Sequence, residues 1–166
     1  MDKNINFSEL VDSAERILIG IGERADLKEQ DYTLLKSILG DKDYFIVSIE
    51  DNTLILNSGL NCDRITCPQA DLGDSNRWEE YMQWLSRTLN HNLLIIELGV
   101  SLSSPGIIRF PFEKTCFYNN KAKMIRVNTS IYQIPEEISD KGIGIKSLCS
   151  EFLLELFNDG QYAKID

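Results

Sequence analysis

The chain has 166 residues, 43% of them hydrophobic, and a formal net charge of −9. This length and composition predict one domain, 1-166, with a single sizeable core. The 17 basic residues are scattered singly, which argues against a nucleic-acid partner or an anionic membrane surface, because such partners are usually met by a basic patch.

The N-terminal sequence lacks the apolar segment of a secretory signal, and no apolar run approaches the roughly 18 residues that span a bilayer. We therefore expect a cytoplasmic protein. The cysteines Cys62, Cys67, Cys116 and Cys149 include no Cys-x-x-Cys pair, and His91 is the only histidine. Since a structural zinc site needs four convergent Cys or His ligands, we predict buried thiols and no zinc.

Hydrophobic periodicity and capping residues predict helices and strands that alternate along the chain. Helices are predicted at 7–15, 27–39, 52–57, 75–90, 112–119 and 147–158, and strands at 16–19, 44–49, 64–66, 93–98, 123–127 and 142–145. Short apolar runs that end in turn residues are typical of strands buried on both faces. The order predicts a three-layer α/β fold, in which helices cover both faces of a parallel sheet.

Two aromatic groups raise the question of core against surface. In the helix at 75–90, one apolar stripe is expected to face the core: Trp78, Tyr81, Met82, Leu85 and Leu89. The aromatic residues at 110–118 are predicted to fill the core around their helix. The alternative is a binding surface formed by Arg109-Phe-Pro-Phe112, Phe117 and Tyr118.

Glycine-containing turns follow two of the predicted strands. One is Gly20-Ile-Gly22, and the other is Gly99-Val-Ser101. In open α/β sheets, ligands bind beyond the carboxyl ends of the strands. Glycine lets the backbone approach a ligand closely, and serine supplies a hydroxyl. These turns predict a nucleotide-type site.

Taken together, the segments resemble the nucleotide-binding domain of the sirtuins, a superfamily of NAD-dependent deacylases and ADP-ribosyltransferases. They look most like the bacterial branch linked to macrodomains. The resemblance extends in abbreviated form from Arg16 to Phe157 and rests on Gly20-Ile-Gly22, on 44–49 with Gly59, on Asp63-Arg-Ile-Thr-Cys-Pro-Gln69, on 97–101 with Pro105 and 109–112, and on 125–128 with Pro135-Glu-Glu137. It implies a Rossmann-like fold of the DHS-like NAD/FAD-binding type.

The resemblance also implies a ligand, NAD or ADP-ribose, and a role for each matched residue. Gly20 and Gly22 would approach the pyrophosphate, Gly99 and Ser101 would line the phosphate and adenosine-ribose region, and Asn128 would hydrogen-bond that ribose. Local structure offers an alternative for each position. The glycines can simply form a tight turn, and Asn128 can cap its strand.

The chain departs from the sirtuin pattern after Gly22. Glu23 and Asp26 place carboxylates near the expected pyrophosphate. Two like charges ~4 Å apart repel by on the order of 4 kcal/mol at an effective dielectric of ~20. The sequence leaves open whether Glu23 points into the site or to solvent, and Arg24 would offset part of the repulsion by pointing inward.

A second departure concerns the reacting end of the cofactor. Gln69 stands where the family has its catalytic histidine, and an amide cannot act as a general base near neutral pH. The macrodomain-linked branch, associated with ADP-ribosyl transfer, also has glutamine here. Glu50 and Asn52 stand where the family has Asn and Asp, so the two functional groups are exchanged.

The small helical, zinc-binding module of typical sirtuins is missing, which removes one wall of the acyl-peptide cleft. A cleft with one wall cannot exclude water, so deacylation is not expected. Three hypotheses follow. The first is a protein that binds NAD or ADP-ribose without turnover. The second is a non-catalytic protein-interaction pseudoenzyme, and the third is an ADP-ribosyltransferase with Gln69, Glu50 and Asn52 at the reacting ribose.

Overall fold

The computed structural model describes residues 5–49, 53–69 and 75–160. Its helices are α1 (Phe7–Ser13), α2 (Glu29–Leu39), α3 (Thr53–Leu56), α4 (Ser75–Ser86), α5 (Arg109–Tyr118) and α6 (Cys149–Asp159). Its strands are β1 (Arg16–Ile21), β2 (Asp43–Ser48), β3 (Ile65–Thr66), β4 (Leu93–Leu98), β5 (Lys123–Asn128) and β6 (Gly142–Lys146). Short 3-10 turns occupy Cys62–Arg64 and Glu136–Ile138.

The six strands form one sheet in the order β3-β2-β1-β4-β5-β6, and every neighbouring pair is parallel. The chain builds outward from β1 in one direction as far as β3, and then returns to place β4 on the other side of β1. This is the strand order of the Rossmann fold, with its topological switch point between β1 and β4. The predicted α/β class is confirmed.

One face of the sheet packs against α1, α2, α3 and α6. The strands present aliphatic residues to it, among them Ile19, Ile46, Ile96 and Ile125. The helices pack their apolar stripes against this face, because residues three and four positions apart lie on one side of a helix. Those residues are Val11, Leu35, Ile38, Leu39, Ile55, Phe152, Leu153 and Leu156.

The opposite face packs against α4 and α5, and a larger share of its core is aromatic. Phe45, Tyr81 and Trp84 form a cluster with ring centroids 5.3 to 5.7 Å apart around Phe45. The apolar stripe predicted for the helix at 75–90, which is α4 in the structure, is partly wrong. Trp84 is buried, whereas Met82 and Leu89 are exposed, because the indole of Trp84 turns inward and donates to the Asp43 carboxylate at 2.8 Å.

Element boundaries also differ from the prediction at two places that matter for the site. β1 continues through Ile21, because its parallel pairing with β2 and β4 runs that far. α5 begins at Arg109, three residues before the predicted start at Phe112, and accommodates Pro111 in its first turn, where a missing N–H costs nothing. Within the described ranges, no helix is long and apolar enough to cross a membrane.

Candidate functional site

The loops after β1 and β4 leave the sheet side by side. Gly20 is in register with Glu97 and Ile21 with Leu98, so the two strands end at the same level. One loop turns toward α2, and the other runs toward α5 on the opposite face. Such a divergence at the switch point forms the crevice in which Rossmann-like proteins bind ligands.

Gly22 and Gly99 hold these two loops against each other. A Cβ on Gly22 would lie 2.4 Å from the carbonyl oxygen of Gly99, and Gly99, at φ +61°, would place its own Cβ 2.3 Å from the nitrogen of Ala25. The Arg24 N–H donates to the carbonyl of Gly99 at 2.9 Å. In this conformation, both glycines allow backbone to pack on backbone, and the crevice is closed at that point.

Gly20 lies inside β1, not in the turn that follows it. A Cβ at this position would come within 2.6 Å of Ile108 and of Phe112, which pack over β1 from the start of α5. The packing of α5 therefore accounts for this glycine. The pyrophosphate role that the resemblance implies for Gly20 would require a ligand beneath the helix.

Glu23 points into the crevice. The Ser101 hydroxyl donates to its carboxylate, and Ser101 Oγ also accepts from the backbone N–H of Ser103 at 3.0 Å. Asp26, in contrast, turns outward to pair with Lys28 at 2.8 Å. The Glu23 carboxylate thus accepts the hydrogen bond of the Ser101 hydroxyl, which the resemblance assigns to the ligand.

Asn128 connects the end of β5 to the loop after β4. Its side-chain amide donates to the carbonyl of Val100 at 3.1 Å, and its Oδ1 accepts from the N–H groups of Ser130 and Ile131 at 3.1 and 3.2 Å. This arrangement matches the alternative of a strand cap, because the amide satisfies backbone groups where β5 ends.

Gln69 approaches the same crevice from the β3 side. Its amide donates to the Ser104 hydroxyl at 3.0 Å, and its side chain is exposed. Glu50 and Asn52, predicted to lie with it at the reacting ribose, fall outside the described residues. Of the predicted site residues, Gly22, Gly99 and Ser101 come together, and Gln69 reaches the loop that follows them.

Two small cavities flank the closed loops. The larger, about 200 Å³, is lined by Gly22, Glu23, Asp26, Tyr32 and Ser48 among others. The smaller, about 70 Å³, includes Gly99 and Asn128. Ligand pockets usually measure roughly 300 to 1,000 Å³. The crevice as folded therefore has room for part of an ADP-ribose, and a whole one requires the loops to separate.

The N-terminus of α2, which faces this crevice from the β1 side, is already occupied by a carboxylate. Buried Asp31 accepts from the N–H of Lys28 at 2.8 Å and so satisfies one of the free donors of the first turn. Helix N-termini attract anions through these donors and the helix dipole. An incoming phosphate would meet a weakened attraction there.

A buried charge cluster beneath α5 was not predicted. Arg126 of β5 grips Glu97 of β4 with two hydrogen bonds of 2.9 and 3.1 Å, and a third bond of 2.7 Å reaches Glu113 of α5. Arg109 completes the group at 3.6 Å from Glu97. The sequence signal was one opposite charge inside each of two apolar strands, LLIIEL and KMIRVN.

Burial acts against both charges of the central pair. It raises the pKa of Glu97, and the charge of Arg126 opposes this rise. It tends to lower the pKa of Arg126, but the carboxylates of Glu97 and Glu113 reverse this to a net increase. Because the charges satisfy one another and lie under a helix, the cluster orients α5 and is not open to a ligand.

The cysteines are free thiols. Cys62 is exposed, and the other three are buried. Burial raises the pKa of Cys116 to about 11 and that of Cys149 to about 12, so both remain protonated and poor nucleophiles at neutral pH. Within the part of the chain that the structure describes, no group of three or more His, Cys, Asp or Glu could hold a metal ion.

Comparison with solved structures shows the fold. The chain matches an exopolyphosphatase-related protein from Bacteroides fragilis with a TM-score of 0.57 and 15% sequence identity, over 94% of this chain and 43% of that one. At this identity, the likeness concerns the Rossmann-like architecture alone.

Comparison by sequence gives a partial likeness. A probable bifunctional ADP-ribose hydrolase/ADP-ribosyltransferase from Fusarium oxysporum f. sp. cubense is 35% identical over 68 residues, which is 39% of this chain and 11% of that protein. No protein-family model matches the chain. The chain therefore has a Rossmann-like α/β fold and a weak, local similarity to a protein whose name refers to ADP-ribose.

Proposed function

We propose that the chain binds ADP-ribose or NAD in the crevice between the loops after β1 and β4. The observation that carries the proposal is the switch point itself, where Gly22, Gly99 and the Ser101 hydroxyl meet at the ends of two neighbouring parallel strands. The partial likeness to an ADP-ribose hydrolase/ADP-ribosyltransferase supports the choice of ligand.

Glu23 controls access to this site. Its carboxylate accepts from Ser101, and a ligand phosphate would accept from the same hydroxyl. Two anions cannot share this position, because at ~4 Å they repel by on the order of 4 kcal/mol at an effective dielectric of ~20. Ligand binding therefore requires Glu23 to swing away, and the Gly22–Gly99 contact to loosen with it.

Isothermal titration with ADP-ribose and with NAD tests the proposal. We expect weak binding by the wild type and at least ~10-fold tighter binding by Glu23→Gln, which removes the competing charge. Glu155→Gln is the matched control, since Glu155 is an exposed carboxylate in α6 that lies outside the crevice, and its loss should change the affinity less than ~3-fold. If neither the folded wild type nor folded Glu23→Gln binds either ligand at concentrations up to ~1 mM, the proposed function is overturned.

ADP-ribosyl transfer is the second candidate, and the name of the Fusarium protein favours it. Gln69, held beside Ser104, would orient a reacting ribose without taking its proton. The same amide is why we do not propose deacylation, which needs a general base. Release of nicotinamide from NAD, reduced at least ~10-fold in Gln69→Ala and abolished in Asn52→Ala, is the expected result. If the protein binds NAD but releases no nicotinamide, the transferase candidate is overturned and ligand binding without turnover remains.

A further inference from the structure

The helices α4 and α5 lie side by side on one face of the sheet, and a groove of about 410 Å³ runs between their outer sides. We call it the α4–α5 groove. Its apolar walls are formed by Met82, Leu85, Leu89 and Tyr118. The ring of Phe117 meets that of Tyr118 edge to face, with centroids 5.1 Å apart, and so supports one wall. The volume lies within the roughly 300 to 1,000 Å³ of small-molecule sites, which are mostly apolar.

The polar side chains that line the α4–α5 groove are already used inside the protein. The hydroxyls of Ser86, Thr88 and Thr115 donate to backbone carbonyls three or four residues earlier, at 2.6 to 2.8 Å. The amide of Asn119 donates to the carbonyls of Thr88 and His91 at 3.0 and 3.3 Å. A sugar, a nucleotide base or an extended peptide needs several hydrogen bonds from its site. The groove is therefore unsuited to these ligands.

Lys114 supplies the charge of the groove. It is exposed, and no ion pair or hydrogen bond engages its ammonium group within the part of the chain that the structure describes. Among the described residues that line the groove there is no carboxylate, although the chain has 26 acidic and 17 basic residues. An apolar groove with one free cation is complementary to a ligand with an apolar body and one anionic head.

Lys114 lies near one end of the groove. At the other end, Asn119 of the α5 cap contacts the carbonyl of Thr88 after α4. Lys114 precedes Asn119 by five residues, which is ~8 Å at ~1.5 Å per residue. Met82 lies at a similar height on α4, six residues before Thr88. An anionic head at Lys114 therefore leaves the apolar body of the ligand to extend along the groove toward Leu89.

We propose that the α4–α5 groove binds a medium-chain fatty acid, with the carboxylate at Lys114 and the acyl chain between the two helices. A single aliphatic chain needs no hydrogen bonds along its length, and the groove offers none there. The groove shares no residue with the cavities at the ends of β1 and β4. The proposal therefore stands or falls independently of ADP-ribose binding.

Titration of the full chain with decanoate, followed by NMR of the backbone amides, tests the proposal. We expect saturable binding with a dissociation constant of about 0.1–1 mM, with the largest shifts around Met82, Leu89 and Lys114. The paired probe is decyltrimethylammonium, which has the same chain length and a positive head. The net charge of −9 attracts this cation to most of the surface. Binding of decanoate at least ~3-fold tighter than the cation is therefore expected only from a local contact with Lys114.

A charge reversal tests the position of the head. Lys114→Glu is expected to weaken decanoate binding at least ~5-fold and to tighten decyltrimethylammonium binding ~3-fold. Lys146→Glu is the matched control, because Lys146 is exposed at the end of β6, outside the groove, and should change either affinity less than ~2-fold. Equal unfolding midpoints for the two variants exclude a folding defect.

Three results would overturn the proposal. The first is decanoate that does not bind at up to ~3 mM, or binds no better than the cation. The second is decanoate binding that Lys114→Glu leaves unchanged. The third comes from a parallel titration with an amphipathic helical peptide that carries one glutamate: if the groove binds this peptide and not decanoate, the surface belongs to a protein partner.

Discussion

The sheet has an aliphatic face under α2 and α6 and a mixed face under α4 and α5. On the first, each strand position near the centre holds Ile, Leu or Val. On the second, one row across the sheet reads Val47, Gly20, Glu97, Arg126 and Gly144. In this row, Gly20 leaves space for α5 to pack on β1. Glu97 and Arg126 are its two charges, and they bind charged side chains of α5. The aliphatic face stabilises the fold by burial that favours no particular orientation of its helices. The contacts of the mixed face determine where α5 lies.

The difference is physical. Burial of aliphatic area is favourable and non-directional, so many arrangements of α2 and α6 would bury similar area. A buried ion pair contributes little net free energy, because desolvation offsets attraction, but a misplaced partner leaves an unpaired charge at high cost. Arg126, Glu97 and Glu113 therefore define the position of α5, which exposes Phe117 and Tyr118 on its outer side.

The largest expected effect comes from breaking the charge cluster. Arg126→Met should lower the free energy of unfolding by about 3–5 kcal/mol, because it removes the main partner of the buried Glu97 carboxylate and a partner of the partly buried Glu113. Urea denaturation measures this loss, with Lys123→Met, an exposed change on the same strand, as the control within about ±0.5 kcal/mol. A loss below ~1 kcal/mol for Arg126→Met would show that the cluster does not anchor α5.

The next effect comes from filling the gap in the same row. Gly20→Ala places a Cβ 2.6 Å from Ile108 and Phe112, so α5 must shift. We expect a loss of about 1–3 kcal/mol in the free energy of unfolding, the usual range for overpacking. Gly106→Ala is the matched control, because nothing lies within 4 Å of its Cβ. Equal stability of the two variants would contradict the close packing of α5 on β1.

The smallest effect concerns an exposed carboxylate, as a contrast to buried Glu97. A hydrogen bond from the backbone N–H of Asn92 lowers the pKa of Glu15 below the ordinary 4.5, and a hydrogen bond with the His91 side chain lowers it further by a smaller amount. A lowered pKa in the folded state stabilises above the unfolded pKa, and this contribution is lost as the pH falls through the folded value. Glu15→Gln should therefore slightly lower the unfolding midpoint at pH ~7 and leave it unchanged at pH ~3. An equal change at both pH values would refute the assignment.

Prediction from sequence succeeded for the elements and failed at particular contacts. The strand Leu93–Leu98 and the end of the second helix at Leu39 are confirmed, because an apolar run and a glycine after the helix, here Gly40 at φ +51°, are local signals. The burial of Trp84 in place of Met82 was not predicted, since it depends on Asp43 from a distant strand. The early start of α5 depends likewise on packing over β1.

The candidate site divides in the same way. The glycine turns after β1 and β4 were recognisable, and their adjacency follows from parallel strand order. The direction of Glu23, the use of Asn128 as a strand cap and the burial of Gly20 under α5 were left open by the sequence. Each depends on a partner between 28 and 92 residues away, or on backbone closeness that no local pattern encodes.

By itself, then, the sequence determined the alternation of strands and helices and a parallel sheet with glycine turns at two strand ends. It could do so because period, turn chemistry and composition act over a few residues. Only the tertiary structure decided that Glu23 rather than solvent meets Ser101, that Arg126 joins two strands to α5, and that Phe117 and Tyr118 remain outside. These outcomes depend on which loops and faces meet, and that is settled when the whole core packs.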